Sequence, residues 1–123
     1  MKKLTALIAD DSLSARTFLR DALQQAGISV TETKNGDEAW LLTRQHQYDL
    51  ILTDLYLPRL SGIELTSKLR AQTEYASTPI LAVSNNKASI KKDAIKNAGA
   101  SGMIRLPIKI DELHTVLKKL LPI

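Results

Sequence analysis

Residues 48–65 read YDLILTDLYLPRLSGIEL, and this stretch decides the fold. Tyr48 to Asp54 is an apolar run of strand length that closes on an acid. It shows no alternation of polar and apolar residues, so it reads as a strand buried on both faces. The loop LYLPRLSG follows, bracketed by Pro58 and Gly62. Gly62, Leu65, Thr66 and Leu69 then mark the inner face of a helix. A buried strand joined to a helix by a short loop is one βα unit of a parallel sheet.

The same alternation extends outward. Upstream, Leu4 to Ala9 is a short strand. From Ser12 the period becomes helical, with Ala15, Phe18, Leu19, Ala22, Leu23 and Ala26 on one stripe and Gly27 where a helix C-cap belongs. Ile28 to Thr33 is a β-branched strand. Asn35-Gly36 is a turn, and Asp37 and Glu38 suit the positive end of a second helix. Downstream, Pro79 to Val83 is a fourth strand, with Pro79 at its permitted start. Ser89 to Ala98 is a fourth helix stopped by Gly99, and Gly102 to Leu106 is a fifth strand ended by Pro107. Ile110, Leu113, Val116, Leu117, Leu120 and Leu121 form the inner stripe of a last helix. Five βα units predict an α/β fold, a doubly wound parallel sheet covered on both faces, in a single domain spanning 1–123 with no output domain.

Composition narrows the function classes. Without cysteine there is neither a disulfide nor a thiolate metal site, which fits a cytoplasmic protein. The Met-Lys-Lys start resembles the head of a signal peptide, but the apolar stretch behind it is short and runs into Asp10-Asp11, so export is rejected. No run reaches the length of a membrane span. The net charge of +4 is uneven: from Lys87 onward eight basic residues face three acids, a balance of +5, leaving −1 for the rest. A basic last third suits an acidic partner or nucleic acid, or is simply a solvated lysine surface.

The chemistry lies in the acids. Ligands of open α/β sheets bind beyond the carboxyl ends of the strands. Asp10 and Asp11 close the first strand and Asp54 closes the third, while Ser84 ends the fourth and offers a hydroxyl. Carboxylates gathered there repel one another, so they take up protons or hold a cation. An all-oxygen set suits Mg²⁺. Singly each signal is weak: Asp11 before Ser12 reads equally as a helix N-cap, and Ser84 as a capping hydroxyl.

Taken together, the strand entering Asp10-Asp11, YDLILTDLYLPRLSGIEL around Asp54, PILAVS ending at Ser84 and AGASGMIRLPI resemble the receiver domain of two-component response regulators. The likeness runs from about Ala6 to about Leu120. It implies a flavodoxin-like fold of five strands in order 2-1-3-4-5 with five helices. It implies that Asp54 is the phosphoacceptor for a sensor histidine kinase or phosphotransfer protein. Asp11 and Asp54 would bind Mg²⁺ directly, Asp10 largely through water, and the backbone carbonyl of Tyr56 would be a further ligand. Ser84 would hydrogen-bond the phosphoryl group. Such a chain is a signalling switch, not an enzyme beyond its own Mg²⁺-dependent phosphorylation and dephosphorylation. Downstream proteins would dock on the fourth helix, fifth strand and fifth helix, where Lys87, Lys91, Lys92, Lys96 and Lys109 call for an acidic partner. Nucleic-acid binding and membrane association are not expected. The Leu106-Pro107 bond is expected cis by the same resemblance, although an X-Pro bond alone favours trans.

Three positions depart from the family pattern. Leu106 stands where receivers carry a lysine, Met103 where they carry an aromatic residue, and Asn85 where a small residue usually follows the serine. Arg105 does not replace the lysine, because neighbouring strand residues face opposite ways. Lys87, three residues after Ser84, is the candidate substitute. The changed positions leave a phosphorylation-independent pseudo-receiver adaptor as the alternative. A phosphohydrolase is set aside, since no second acid lies two residues after Asp54. Trp40 and Tyr48 read as packing residues, and His46 and His114 as surface residues.

Overall fold

The computed structural model describes residues 3–84 and 92–123. Among them, strands β1 (Thr5–Ala9), β2 (Ser29–Thr33), β3 (Leu50–Asp54), β4 (Ile80–Ser84) and β5 (Gly102–Arg105) alternate with helices α1 (Leu13–Gln25), α2 (Gly36–Gln45), α3 (Gly62–Arg70), α4 (Lys92–Ala98) and α5 (Ile110–Leu120). The strands form one sheet in order β2-β1-β3-β4-β5, with every neighbouring pair parallel. Both the parallel sheet and the order implied by resemblance are therefore found.

Alternation along each strand divides the core. Ala6, Ile8, Leu50, Leu52, Leu81 and Val83 face α1 and α5, where Leu19, Leu23, Leu113 and Leu117 cover them. Leu7, Ala9, Ile51 and Ile80 face the other way, onto Ala39 of α2 and Leu65 and Leu69 of α3. β3 is buried at every position, as its unbroken apolar run requires.

Helix ends follow their local signals. Ser12 caps α1 by accepting from the Ala15 N–H, and Gly27 beyond its end takes φ of 82°. Ser61 and Glu64 form a reciprocal capping box at α3. Tyr48 is buried, and Trp40 packs on the α2–α3 side with Lys68 Nζ 4.6 Å from its ring centre. His46 is exposed as expected. His114 is not merely a surface group: it is half-buried, and its Nε2 lies 3.0 Å from the Ala22 carbonyl, joining α5 to α1. The turn Thr73–Tyr75 before β4 carries no periodic signal and was not anticipated. The Leu106-Pro107 bond is cis. Asn85, Lys87, Lys91 and the expected beginning of α4 at Ser89 lie outside the described residues.

Candidate functional site

The chain leaves β1 for β2 on one side and places β3 on the other, so the strand order reverses between β1 and β3. A crevice opens at such a point beyond the carboxyl ends. Ala9 pairs in register with Thr53, and one residue further on Asp10 and Asp54 leave adjacent strands together. One carboxylate oxygen from each of Asp10, Asp11 and Asp54 lies within 4.8 Å of the others. Asp10 and Asp54 are buried and Asp11 is exposed.

Each acid has a separate local reason for its position. The Asp10 N–H donates to the Thr33 carbonyl at 3.0 Å, extending the β1–β2 ladder by one residue. Its Oδ1 accepts from the Ser12 N–H at 2.9 Å, whereas its buried Oδ2 has no hydrogen-bond partner among the described residues. The N-cap of α1 is Ser12 and not Asp11, so capping does not account for Asp11. Asp54 Oδ1 accepts from the Tyr56 N–H at 3.3 Å. Gly62 closes the loop behind it: the Gly62 N–H donates to the Leu55 carbonyl, and a β-carbon at Gly62 would overlap the Asp54 carbonyl oxygen.

Electrostatics make this a site under tension. Burial raises the Asp54 carboxyl to about 6, helped by Asp10 and Asp11, while the Tyr56 N–H opposes the shift. Burial also raises Asp10, against the Ser12 N–H and Arg16. Two buried carboxylates and an exposed third, with an orphaned oxygen among them, suit a hard divalent cation that would satisfy that oxygen and offset the repulsion. The oxygen-only donor set fits Mg²⁺.

Ser84 is buried at the end of β4, in register with Arg105 of β5. Tyr56 is exposed at the mouth. Leu106 does not enter the acid cluster. It is half-buried against the α1–α5 core and lines a groove with Ala15, Phe18, Pro107 and Ile108. Arg105 is exposed. Met103 packs with Leu55, Ala82 and Ile95, as an apolar residue rather than a ring. Arg16 was missed in the sequence: it is buried behind Asp10, yet a lone arginine beside an apolar stripe looks like a solvated one.

Residues 6–118 match the response regulator receiver domain family. The chain belongs to that family. This receiver is 32% identical over 121 residues to the polar-differentiation response regulator DivK of Brucella anthropi, covering 98% of each chain. Its fold superposes on the chemotaxis response regulator CheY4 of Vibrio cholerae with a TM-score of 0.89 at 31% identity, covering 98% of this chain and 100% of that one. The receiver domain of sensor histidine kinase PA1611 from Pseudomonas aeruginosa PAO1 gives a TM-score of 0.87 at 28% identity, over 97% and 98% of the two chains. In that structure a magnesium ion is coordinated in the active site cleft. The chain is thus a receiver of the two-component type, a signalling module. Among the described residues no helix is long and apolar enough to cross a membrane.

Proposed function

We propose that this receiver takes a phosphoryl group onto Asp54 from a phosphohistidine of a sensor histidine kinase or phosphotransfer protein. The observation that carries the reading is the convergence of Asp10, Asp11 and Asp54 at the strand-order switch, with a buried Asp10 oxygen unpartnered among the described residues. Asp11 and Asp54 would hold Mg²⁺ directly, Asp10 through water, and the Tyr56 backbone carbonyl would complete the protein's ligands. Bound there, Mg²⁺ neutralises the charge that otherwise keeps a carboxylate from an anionic phosphoryl group.

The chain's own residues supply the rest. An Asp54 oxygen attacks phosphorus as the bond to the imidazole nitrogen breaks, giving an acyl phosphate on Asp54. The Tyr56 N–H fixes the direction of that carboxylate, and the close approach of Gly62 holds the Asp54 main chain beneath it. Ser84, at the end of the neighbouring strand, donates its hydroxyl to a phosphoryl oxygen. The product adds about −1.5 to −2 charge beside one hydroxyl, enough to bias a local two-state arrangement. The chain acts in the cytoplasm, and its output is read by an acidic protein surface at α4, β5 and α5, where Lys92, Lys96 and Lys109 are exposed. Lys87 and Lys91, outside the described residues, belong to the same proposal, with Lys87 as the substitute for the missing lysine. Among the described residues no feature of the geometry favours the adaptor alternative.

Intact mass after incubation with a small acyl phosphate and Mg²⁺ tests this reading. One added phosphoryl group in the parent and none in Asp54→Asn is expected. Equal labelling of both proteins would remove Asp54 from its role.

A further inference from the structure

Arg16 lies in the first turns of α1 and is only 6% exposed, a rare condition for a guanidinium. Its NH1 donates to the backbone carbonyl of Asp10 at 2.8 Å in a buried hydrogen bond. Its Nε lies 3.4 Å from Oε1 of Glu32 on β2, and the other oxygen of Glu32 lies 3.3 Å from NH1 of Arg20. The Asp10 N–H is bound to the Thr33 carbonyl. Both backbone polar groups of Asp10 are therefore held, one by β2 and the other by Arg16. With Oδ1 bound to the Ser12 N–H, little freedom remains in the side chain, whose carboxylate belongs to the cluster.

We propose that Arg16, itself held by Glu32, is the positioning residue that fixes Asp10 so that the three carboxylates can bind Mg²⁺. The inference rests on the reading of the acid cluster as a Mg²⁺ site. Arg16 donates to the main-chain carbonyl of Asp10 rather than to its carboxylate, so it acts through Asp10. Glu32 offsets part of its charge, and the hydrogen bond is what positions Asp10. A purely electrostatic role has the opposite sign, because removing a cation near the site would tighten Mg²⁺ binding.

Titration calorimetry with Mg²⁺ alone, at a pH above the Asp54 transition, separates these roles. Thermal melts in chelator verify that each variant is folded. Arg16→Met is expected to weaken Mg²⁺ about tenfold, the scale seen when residues that orient metal ligands are removed. Arg16→Lys keeps one donor and is expected to stay within about threefold of the parent, and Glu32→Gln to fall between the two variants. A folded Arg16→Met that binds Mg²⁺ as tightly as the parent, or tighter, overturns the proposal. Should Arg16→Met not fold, the other two variants decide: weakening by Glu32→Gln beyond that of Arg16→Lys supports it, and parental affinity in both overturns it. A parent that binds no Mg²⁺ overturns the metal-site reading itself, and this inference with it.

Discussion

The two ends of the sheet handle buried charge in opposite ways. At the amino end, Arg70 closes α3 with its guanidinium half-withdrawn from water, and burial lowers its pKa. Every nitrogen finds an oxygen: Nε donates to Gly99, NH1 to Tyr75 and Thr78, all to carbonyls, and NH2 to the Ser101 hydroxyl. The same Ser101 oxygen accepts from the Ile80 N–H, and the Tyr75 hydroxyl is bound to the His46 carbonyl and the Tyr48 N–H. At the carboxyl end, Asp10 and Asp54 are buried beside Asp11 with an oxygen left over. A saturated charge stabilises a fold, whereas an unsaturated one keeps a valence for a ligand. The difference separates the end that holds the molecule together from the end that acts.

The largest expected effect comes from breaking the saturated end. Arg70→Met removes the guanidinium donors from three carbonyls and from the Ser101 hydroxyl, which keeps the Ile80 N–H, at a cost of about 3 kcal/mol. Urea unfolding should show that loss while Mg²⁺ affinity stays at the parental value. A coupled fall in Mg²⁺ affinity would mean that the two ends are not independent.

Relieving the unsaturated end should work the other way. Asp54 has a folded pKa of about 6 against an ordinary value of 3.8. The folded state therefore binds this proton more tightly, and metal-free stability falls as pH rises from about 4 through 6. Above that window the penalty is complete. Asp54→Asn is expected to stabilise the metal-free protein by about 2 kcal/mol at pH 8 and by little at pH 4. Added Mg²⁺ should narrow the gap by stabilising the parent more than the variant. Denaturant midpoints across that pH range check it, and an unchanged difference between the two pH values would show that Asp54 is not under tension.

How much of this was legible in the sequence follows from what each end is made of. Periodicity and strand-end acids located the strands and brought Asp10, Asp11 and Asp54 to one edge, because a parallel strand carries its last residue to the carboxyl end whatever lies around it. The strand order needed the family likeness. The Arg70 clasp was not legible: its partners are mostly backbone carbonyls, which any residue supplies, and these lie up to 29 positions away. Arg16 was hidden for the same reason, since its decisive acceptor is the main chain of Asp10. His114 also bonds a carbonyl, that of Ala22, and its spacing gave no hint of it. Side-chain motifs announce themselves by residue type; side-chain contacts to the backbone do not.

The smallest stability effect, and the finest test of the unsaturated end, is Leu106→Lys. In the parent this side chain packs against the α1–α5 core beside Phe18, so the change forfeits about 1 kcal/mol of apolar burial. A lysine that turns from the groove toward Asp54 would regain a similar amount, but only while Asp54 is ionised. The variant should therefore be about 1 kcal/mol less stable than the parent at pH 4 and nearly equal to it at pH 8. Phosphorylation by a small acyl phosphate should quicken about tenfold, the worth of one charge-assisted contact. The same deficit at both pH values would show that the added cation stays in the groove, leaving the acid cluster as it is in the parent.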